Sequence, residues 1–253
     1  MIVGHLAEDQ ILDATAHRPW PLPEAPWVGR QTWRDLMFAH WRVSRDLLRQ
    51  RVPSFLDIDT FEDEAWVGIT PFHIIDSTAR GIPAVPWLSS YTELNVRTYV
   101  TYKGVPGIFF FSLDADSTIA VAGATAAFHL PYFLAEMRCS EDGSSLNFRS
   151  RRITDQRAQF SAVYAPVGPP FEPQAGTLAY WLTERYCLYT MDASGHAYRV
   201  EIHHVPWSLQ EAQATITANG MAEAAELELA AMPPVLHFAR RQDTLIWLPH
   251  ALR

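Results

Sequence analysis

Between Tyr91 and Phe133 the order of apolar and polar positions predicts a strand with a polar stripe, a turn, a wholly apolar strand and a short helix. Period-two alternation sets Glu93, Asn95, Arg97, Tyr99 and Thr101 on one face of the first strand and Leu94, Val96, Thr98 and Val100 on the other, so a carboxylate and a guanidinium share a face. Residues 102–107, Tyr-Lys-Gly-Val-Pro-Gly, carry the glycines and proline of a hairpin loop. Residues 108–113, Ile-Phe-Phe-Phe-Ser-Leu, show almost no alternation, which predicts a strand covered on both sides. If the neighbouring strand is covered likewise, the stripe faces an enclosed polar space. The competing expectation is a solvated face on an antiparallel strand.

The rest of the chain is read the same way. Residues 31–43 predict a strand, and Ser44 then offers an N-cap for a helix to Arg51, stopped by Pro53, with Leu47 and Leu48 inward. Residues 65–69 form a strand running toward Pro71-Phe72-His73, followed by a loop holding Gly81, Pro83 and Pro86. Ser117 caps an alanine-rich helix through Ala127, which Pro131 breaks. Strands are expected near 134–138, 144–153 and 159–166, then a proline-rich loop over 166–173, a helix over 176–182 and a hairpin of 185–191 with 196–206. Residues 221–229 have helical composition, and strands over 235–240 and 244–248 complete the chain. Residues 1–29, with Pro19, Pro21, Pro23 and Pro26 around Trp20 and Trp27, read as an irregular extension docking on a single domain of residues 30–253. No repeat of 20 to 50 residues occurs, which argues against a solenoid or propeller.

Composition narrows the partners. Nine Trp, nine Tyr and thirteen Phe in a 48% hydrophobic chain of 253 residues argue for a substantial core. A net charge of −8 without a basic run disfavours nucleic acid or an anionic membrane. Cys139 and Cys187 lack paired-cysteine spacing, and the first twenty residues carry Glu8, Asp9 and Asp13 without an apolar run. The expectation is a soluble cytoplasmic protein without a signal peptide, with a homo-oligomer left open.

The motifs of common chemistries are missing. Glu201, His203 and His204 are the strongest metal candidates, but on a strand His204 points away from the other two, so no metal is expected. Neither a Gly-x-Ser-x-Gly elbow, a catalytic cysteine context nor a Gly-x-Gly loop occurs, and no cofactor is expected. Arginine is the remaining signal. Arg149, Arg151 and Arg152 lie on or beside one strand, Arg185 is expected to form a structural ion pair with a carboxylate such as Glu184, and Arg97 lies on the stripe. Lys103 is the sequence's sole lysine.

Several segments carry a family resemblance: residues 38–42 (Phe-Ala-His-Trp-Arg), residues 93–100 (Glu-Leu-Asn-Val-Arg-Thr-Tyr-Val), 107–114, Ser150-Arg151-Arg152, Glu184-Arg185-Tyr186 and His204-Val205-Pro206-Trp207. Across residues 33–247 the chain resembles the YqjF-like proteins, a group without assigned activity, which are in turn similar to acetoacetate decarboxylase. The resemblance implies a β-rich α+β fold, a mainly antiparallel cone or barrel with a few short helices around a small cavity. Tyr91-Thr92-Glu93 matches the decarboxylase's Tyr-x-Glu strand. In Phe128-His129-Leu130-Pro131-Tyr132-Phe133 the proline aligns, but Tyr132 and Phe133 occupy the two lysine positions. A Schiff-base mechanism needs a neutral amine as electron sink, and Lys103 in its turn is poorly placed to supply one.

These readings converge on a cavity that binds a small organic acid or carbonyl compound and does not decarboxylate acetoacetate. Glu93 is expected as acid, base or acceptor, Tyr132 as phenolic donor, Arg97 as anion partner, Asn95 and Tyr99 as further contacts, and His129 as a weaker proton-transfer candidate. If it is an enzyme, a lyase or hydrolase is expected. The alternatives are a non-catalytic ligand sensor or interaction protein whose stripe is filled by internal ion pairs, and a metal hydrolase built on His203 or His204.

Overall fold

A computed structural model describes residues 6–85 and 89–252, so Pro86 lies outside the described residues. Thirteen strands dominate: β1 (Gly29–Val43), β2 (Asp57–Ile58), β3 (Ala65–Ala79), β4 (Tyr91–Tyr102), β5 (Val105–Ala115), β6 (Tyr132–Asp142), β7 (Ser145–Arg152), β8 (Gln159–Phe171), β9 (Cys187–Met191), β10 (Ala197–His203), β11 (Leu209–Asn219), β12 (Val235–Ile246) and β13 (His250–Ala251). Five short helices join them: α1 (Glu8–Asp13), α2 (Arg45–Arg51), α3 (Thr118–Phe128), α4 (Leu178–Thr183) and α5 (Met221–Ala224). None is long and apolar enough to cross a membrane.

The strands close into a ring. β12, β1, β3, β4 and β5 pair in succession, antiparallel throughout, and β5 passes through β9 and β10 back to β12. A second arc leaves β5 through β6, β7, β8 and β11 and also returns to β12. β5 and β12 are therefore the branch strands, each with one continuous partner and two partial ones. Among the described residues, only the pairings of β5 with β6 and with β9 are parallel.

Local chemistry explains several elements. β4 and β5 turn through Lys103 and Gly104, with φ of 49° and 78°. Two residues at positive φ make the tight hairpin turn whose twist suits antiparallel strands, so Val105-Pro106-Gly107 belong to β5 rather than to a six-residue loop. The Ser117 Oγ accepts from the Ala120 N–H at the start of α3, and His129 at φ 54° ends the helix. Ser44 caps α2 in the same manner.

Elsewhere tertiary structure overrides the sequence expectation. The proline-rich segment is not a loop, since β8 runs on to Phe171. Beyond Tyr164 its pairing with β7 has ended and only β11 remains alongside, leaving an edge where prolines are tolerated. β12 is one strand where two were expected, α5 stops after one turn, and α4 begins only at Leu178. β11, with Ala212, Ala214 and Ile216 turned inward, was not expected at all.

Residues 6–20 pack against the ring. α1 buries Ile11 against Leu245 and Trp247. Arg18 then pairs with Glu201 and donates to the Ile202 carbonyl at 2.7 Å, and the Trp20 Nε1 donates to Glu201 at 2.9 Å. A buried guanidinium with a carboxylate and a carbonyl is a strong anchor.

Candidate functional site

The polar stripe of β4 faces inward. Every residue from Tyr91 to Val100 is buried, because β3 and β5 flank it along its length and other elements cover both of its faces. Rungs across the three strands fix what surrounds each side chain: Phe72, Glu93 and Ala115; Thr70, Asn95 and Leu113; Gly68, Arg97 and Phe110. The register shifts between Val96 and Arg97, leaving Phe111 as an extra residue of β5. That bulge brings Phe110 to the same side as Leu113 although they are three apart in sequence.

These rungs line a cavity of about 130 Å³. At about 30 Å³ per water in the liquid, it has room for a molecule of a few heavy atoms. Glu93, Asn95 and Arg97 form one wall. Tyr132, first residue of β6 and register partner of Leu113, enters beside them, and its hydroxyl donates to the Glu93 Oε2 at 2.8 Å. Trp33, Trp207 and Phe72 supply an aromatic side, and Ala124 and Phe128 of α3 cover another.

Burial governs the electrostatics. Glu93, 2% exposed, is pushed up to about 7 by loss of hydration. Bonds from Tyr132 and Asn95 oppose that rise in part, and the nearby Asp114 charge adds to it. Tyr132 is raised well above the usual phenol range by burial and by Glu93. Glu93 is therefore the group that changes charge near neutrality while Tyr132 remains a donor.

Arg97 has no carboxylate partner among the described residues. Its guanidinium carbon lies 5.2 Å from the Phe38 ring centre and its Nη2 reaches the Leu182 carbonyl at 3.4 Å, while Nε has no partner among the described residues. Arg185 also lines the cavity. Its Nη1 donates to Asp59 at 2.6 Å and Nε to the Trp181 carbonyl at 2.7 Å, and Nη2 lacks a partner among the described residues. The expected pairing with Glu184 is not formed. Glu184 instead accepts from Tyr186 and from the Trp207 N–H: it sits at the centre of a tight turn, φ −82° and ψ 74°, in which the Arg185 N–H donates to the Thr183 carbonyl at 2.9 Å. With Thr70 Oγ1 and Asn95 Oδ1, four buried polar atoms without partners among the described residues belong to side chains lining this cavity.

Two expected contacts lie elsewhere. Tyr99 is absent from the cavity lining: its hydroxyl donates to the Leu182 carbonyl at 2.9 Å and lies 2.7 Å from the His40 Nε2. His129 lines a separate outer cleft, its left-handed backbone having turned it away from the cavity. His203 bonds the Ile11 carbonyl at 2.9 Å and His204 lines the cavity. Burial lowers both imidazoles to about 4, and no group of three or more His, Cys, Asp or Glu among the described residues is arranged to hold a metal. Arg185, Thr70 and His204 were missed as cavity residues. The alternation around Thr70 was the available signal for one of them, and the other two follow from the ring's closure.

The ring, its branch strands and the inward stripe define an acetoacetate decarboxylase-like fold. The fold matches acetoacetate decarboxylase from Legionella pneumophila with a TM-score of 0.63 at 16% identity, covering 96% of this chain and 95% of that one. The enduracididine biosynthesis enzyme MppR complexed with pyruvate matches with a TM-score of 0.63 at 12% identity over 93% of each chain. An acetoacetate decarboxylase-like enzyme from Sphingomonas wittichii RW1 gives 0.60 at 12% identity, covering 90% of this chain and 94% of that one. Within that fold the chain belongs to the DUF2071 family of uncharacterized conserved proteins, which it matches over residues 30–243. It is 46% identical over 226 residues to the uncharacterized protein YqjF of Bacillus subtilis strain 168, covering 89% of this chain and 93% of that protein.

Proposed function

We propose that the cavity binds a small organic acid or carbonyl compound between Arg97 and the Glu93–Tyr132 pair. One observation carries this reading: four of the side chains that line one hollow each carry a buried polar atom without a partner among the described residues. Each such atom costs about 1–3 kcal/mol when nothing bonds to it, so four on one lining are better explained by a ligand than by packing. Arg97 suits a carboxylate, for which a guanidinium offers a matched fork of donors. Glu93, at about 7, exists in both protonation states near neutrality and can give a proton to a ligand oxygen or take one from it.

The chemistry in this reading does not run through an amine. The sole lysine, Lys103, is exposed in the β4–β5 turn and absent from the cavity lining, and Tyr132 stands where the family resemblance aligns a lysine. An iminium electron sink requires that amine, so acetoacetate should release carbon dioxide no faster with the protein than without it. The pyruvate held by the MppR enzyme supports including keto acids among the probes. A reducing cytoplasm suits the free thiols of Cys139 and Cys187.

A non-catalytic sensor or interaction protein is favoured by a different observation, the buried ion pairs Arg152–Asp114 and Arg185–Asp59 near the cavity. Thermal-shift screening with keto acids, hydroxy acids and small aldehydes tests binding itself, since a ligand preferring the native form raises the midpoint. A hit in the natural protein that Arg97→Met abolishes supports the proposal. No shift from any of the three classes would overturn it, and following the hit by NMR for chemical change separates an enzyme from a sensor.

A further inference from the structure

We propose that molecules reach the cavity through the break in the strand ring beside β5, and that Phe110, backed by Leu130, is the partition that decides what passes. The inference rests on the binding reading in that a ligand has to arrive from outside. Its geometry is independent of that reading.

The ring contains two places where a branch strand changes partner along one edge, and they differ. On β12 the change falls between the β11 pairing at Leu209–Glu211 and the β10 pairing at Ile202–His203. Here the Gln242 Nε2 donates to the Val205 carbonyl at 2.8 Å, fastening the intervening segment over the gap. On β5, β9 pairs at Ile108 and Phe109 and β6 at Leu113 to Ala115, with Phe110, Phe111 and Ser112 between them. That interval opens onto an outer cleft of about 510 Å³, bordered by Phe109, Phe111, Thr125, His129, Tyr189 and Asp192.

Cleft and cavity share two lining residues, Phe110 and Leu130. A side chain lining both spaces is a wall between them. The roof of that wall is α3, which presents Ala124 and Phe128 to the cavity and Thr125 to the cleft, yet has no buried residue of its own. Its end is tied by the Thr190 Oγ1, which donates to the His129 carbonyl at 2.6 Å. An element with little buried surface is drawn from the low-stability end of a fold and opens at small cost. Phe110 is also the register partner of Arg97, so a molecule passing it would arrive beside the guanidinium. Ring size at position 110 thereby sets what is admitted.

The test measures passage rather than affinity. Thr70 lines the cavity and is 1% exposed, and Cys187 lines it too, so Thr70→Cys in a Cys139→Ser, Cys187→Ala background makes position 70 the single reporter thiol, with the cysteine-free background protein reading the blank. The reagent is methyl methanethiolsulfonate: the thiolate attacks its sulfenyl sulfur, a mixed disulfide forms and methanesulfinate leaves, followed by mass spectrometry. Phe110→Ala should raise the labelling rate at least about tenfold, and Thr125→Trp, filling the cleft from an exposed helix position, should lower it about tenfold, each a barrier change of about 1.4 kcal/mol. Gln31→Trp, at the cavity's other side, should change it less than about twofold. If Thr125→Trp leaves the rate unchanged, or Gln31→Trp is the variant that slows it, the proposal is wrong. Thr125→Trp decides the matter even if Phe110→Ala does not fold. A reporter labelled through the cleft in a protein that no acid or carbonyl probe stabilises would sink the binding reading and leave this one standing.

Discussion

Replacing Glu93 by glutamine should stabilise this protein at alkaline pH and do so much less in mild acid. Glu93 titrates at about 7 in the folded chain against 4.5 for a solvated glutamate. Between those values the unfolded chain has released this proton while the native state keeps it. The native state thus binds more protons, and stability falls as pH rises. The contribution is full below about pH 4.5 and reaches its lowest plateau above about pH 7. At about 1.4 kcal/mol per pH decade the loss is about 3 kcal/mol. Glutamine has no charge to bury, and its carbonyl can still accept from Tyr132. Urea unfolding of both proteins from pH 5 to pH 8, extrapolated linearly, isolates the effect because every other titrating group is common to the pair. The variant should exceed the natural protein by about 1 kcal/mol at pH 5 and by about 3 kcal/mol at pH 8. A stability difference that stays constant with pH would refute the reasoning, and with it the placement of an ionisable carboxyl in a buried site.

Arg97→Met should remove the thermal shift given by any acid hit while changing unliganded stability by no more than about 1 kcal/mol, since a buried cation without a carboxylate is exchanged for an apolar chain of similar reach. Asp114→Asn should destabilise by about 3–5 kcal/mol in urea, because Arg152, bonded to Asp114 at 2.7 and 2.8 Å, would stay buried without its anion. Gly68→Ala should destabilise by about 1–3 kcal/mol and weaken ligand binding. Its methyl would lie 3.0 Å from the His40 ring and 3.4 Å from the Arg97 Cγ, so accommodation shifts the arginine.

How much was legible in the sequence depends on whether a feature is written in neighbouring residues. The stripe of β4 was, because period two is a local property and the apolar run of β5 indicated cover on that flank. That cover is partial, for Phe109, Phe110 and Phe111 are half-buried where β5 borders the cleft. β11 alternates too, but its inward positions are alanines and an isoleucine among Glu211, Gln213 and Thr215, residues mostly of low strand preference, so the pattern lacked contrast. The partner of Arg185 was misjudged for the opposite reason. Glu184, adjacent in sequence, is taken by Tyr186 and the Trp207 N–H, while Asp59 lies 126 residues away and meets the guanidinium only through the folded ring. Tyr132 was reached through resemblance alone, since nothing in its own segment says that a strand start faces Glu93. His129, three residues earlier, was assigned to the same space, and a single left-handed residue sends it to the other side of the wall.

The charges around the hollow argue for a ligand more strongly than its size does. Three guanidinium groups lie at comparable depth near β4. Arg152 has Asp114 and Arg185 has Asp59, so the fold supplies a carboxylate where a buried arginine is structural. Arg97 receives none from the described residues, although Glu93 occupies the same face four positions away. Four residues along a strand span about 13 Å, too far for the two to meet, and Glu93 is bound instead by Tyr132 and Asn95 in surroundings that raise it to about 7, so that it is only partly ionised near neutral pH. The hollow thus carries a positive charge at one end and a protonatable group at the other, held apart by the strand itself. In the proposed reading, an anionic group at the first and a carbonyl or hydroxyl at the second would complete the bonding of both.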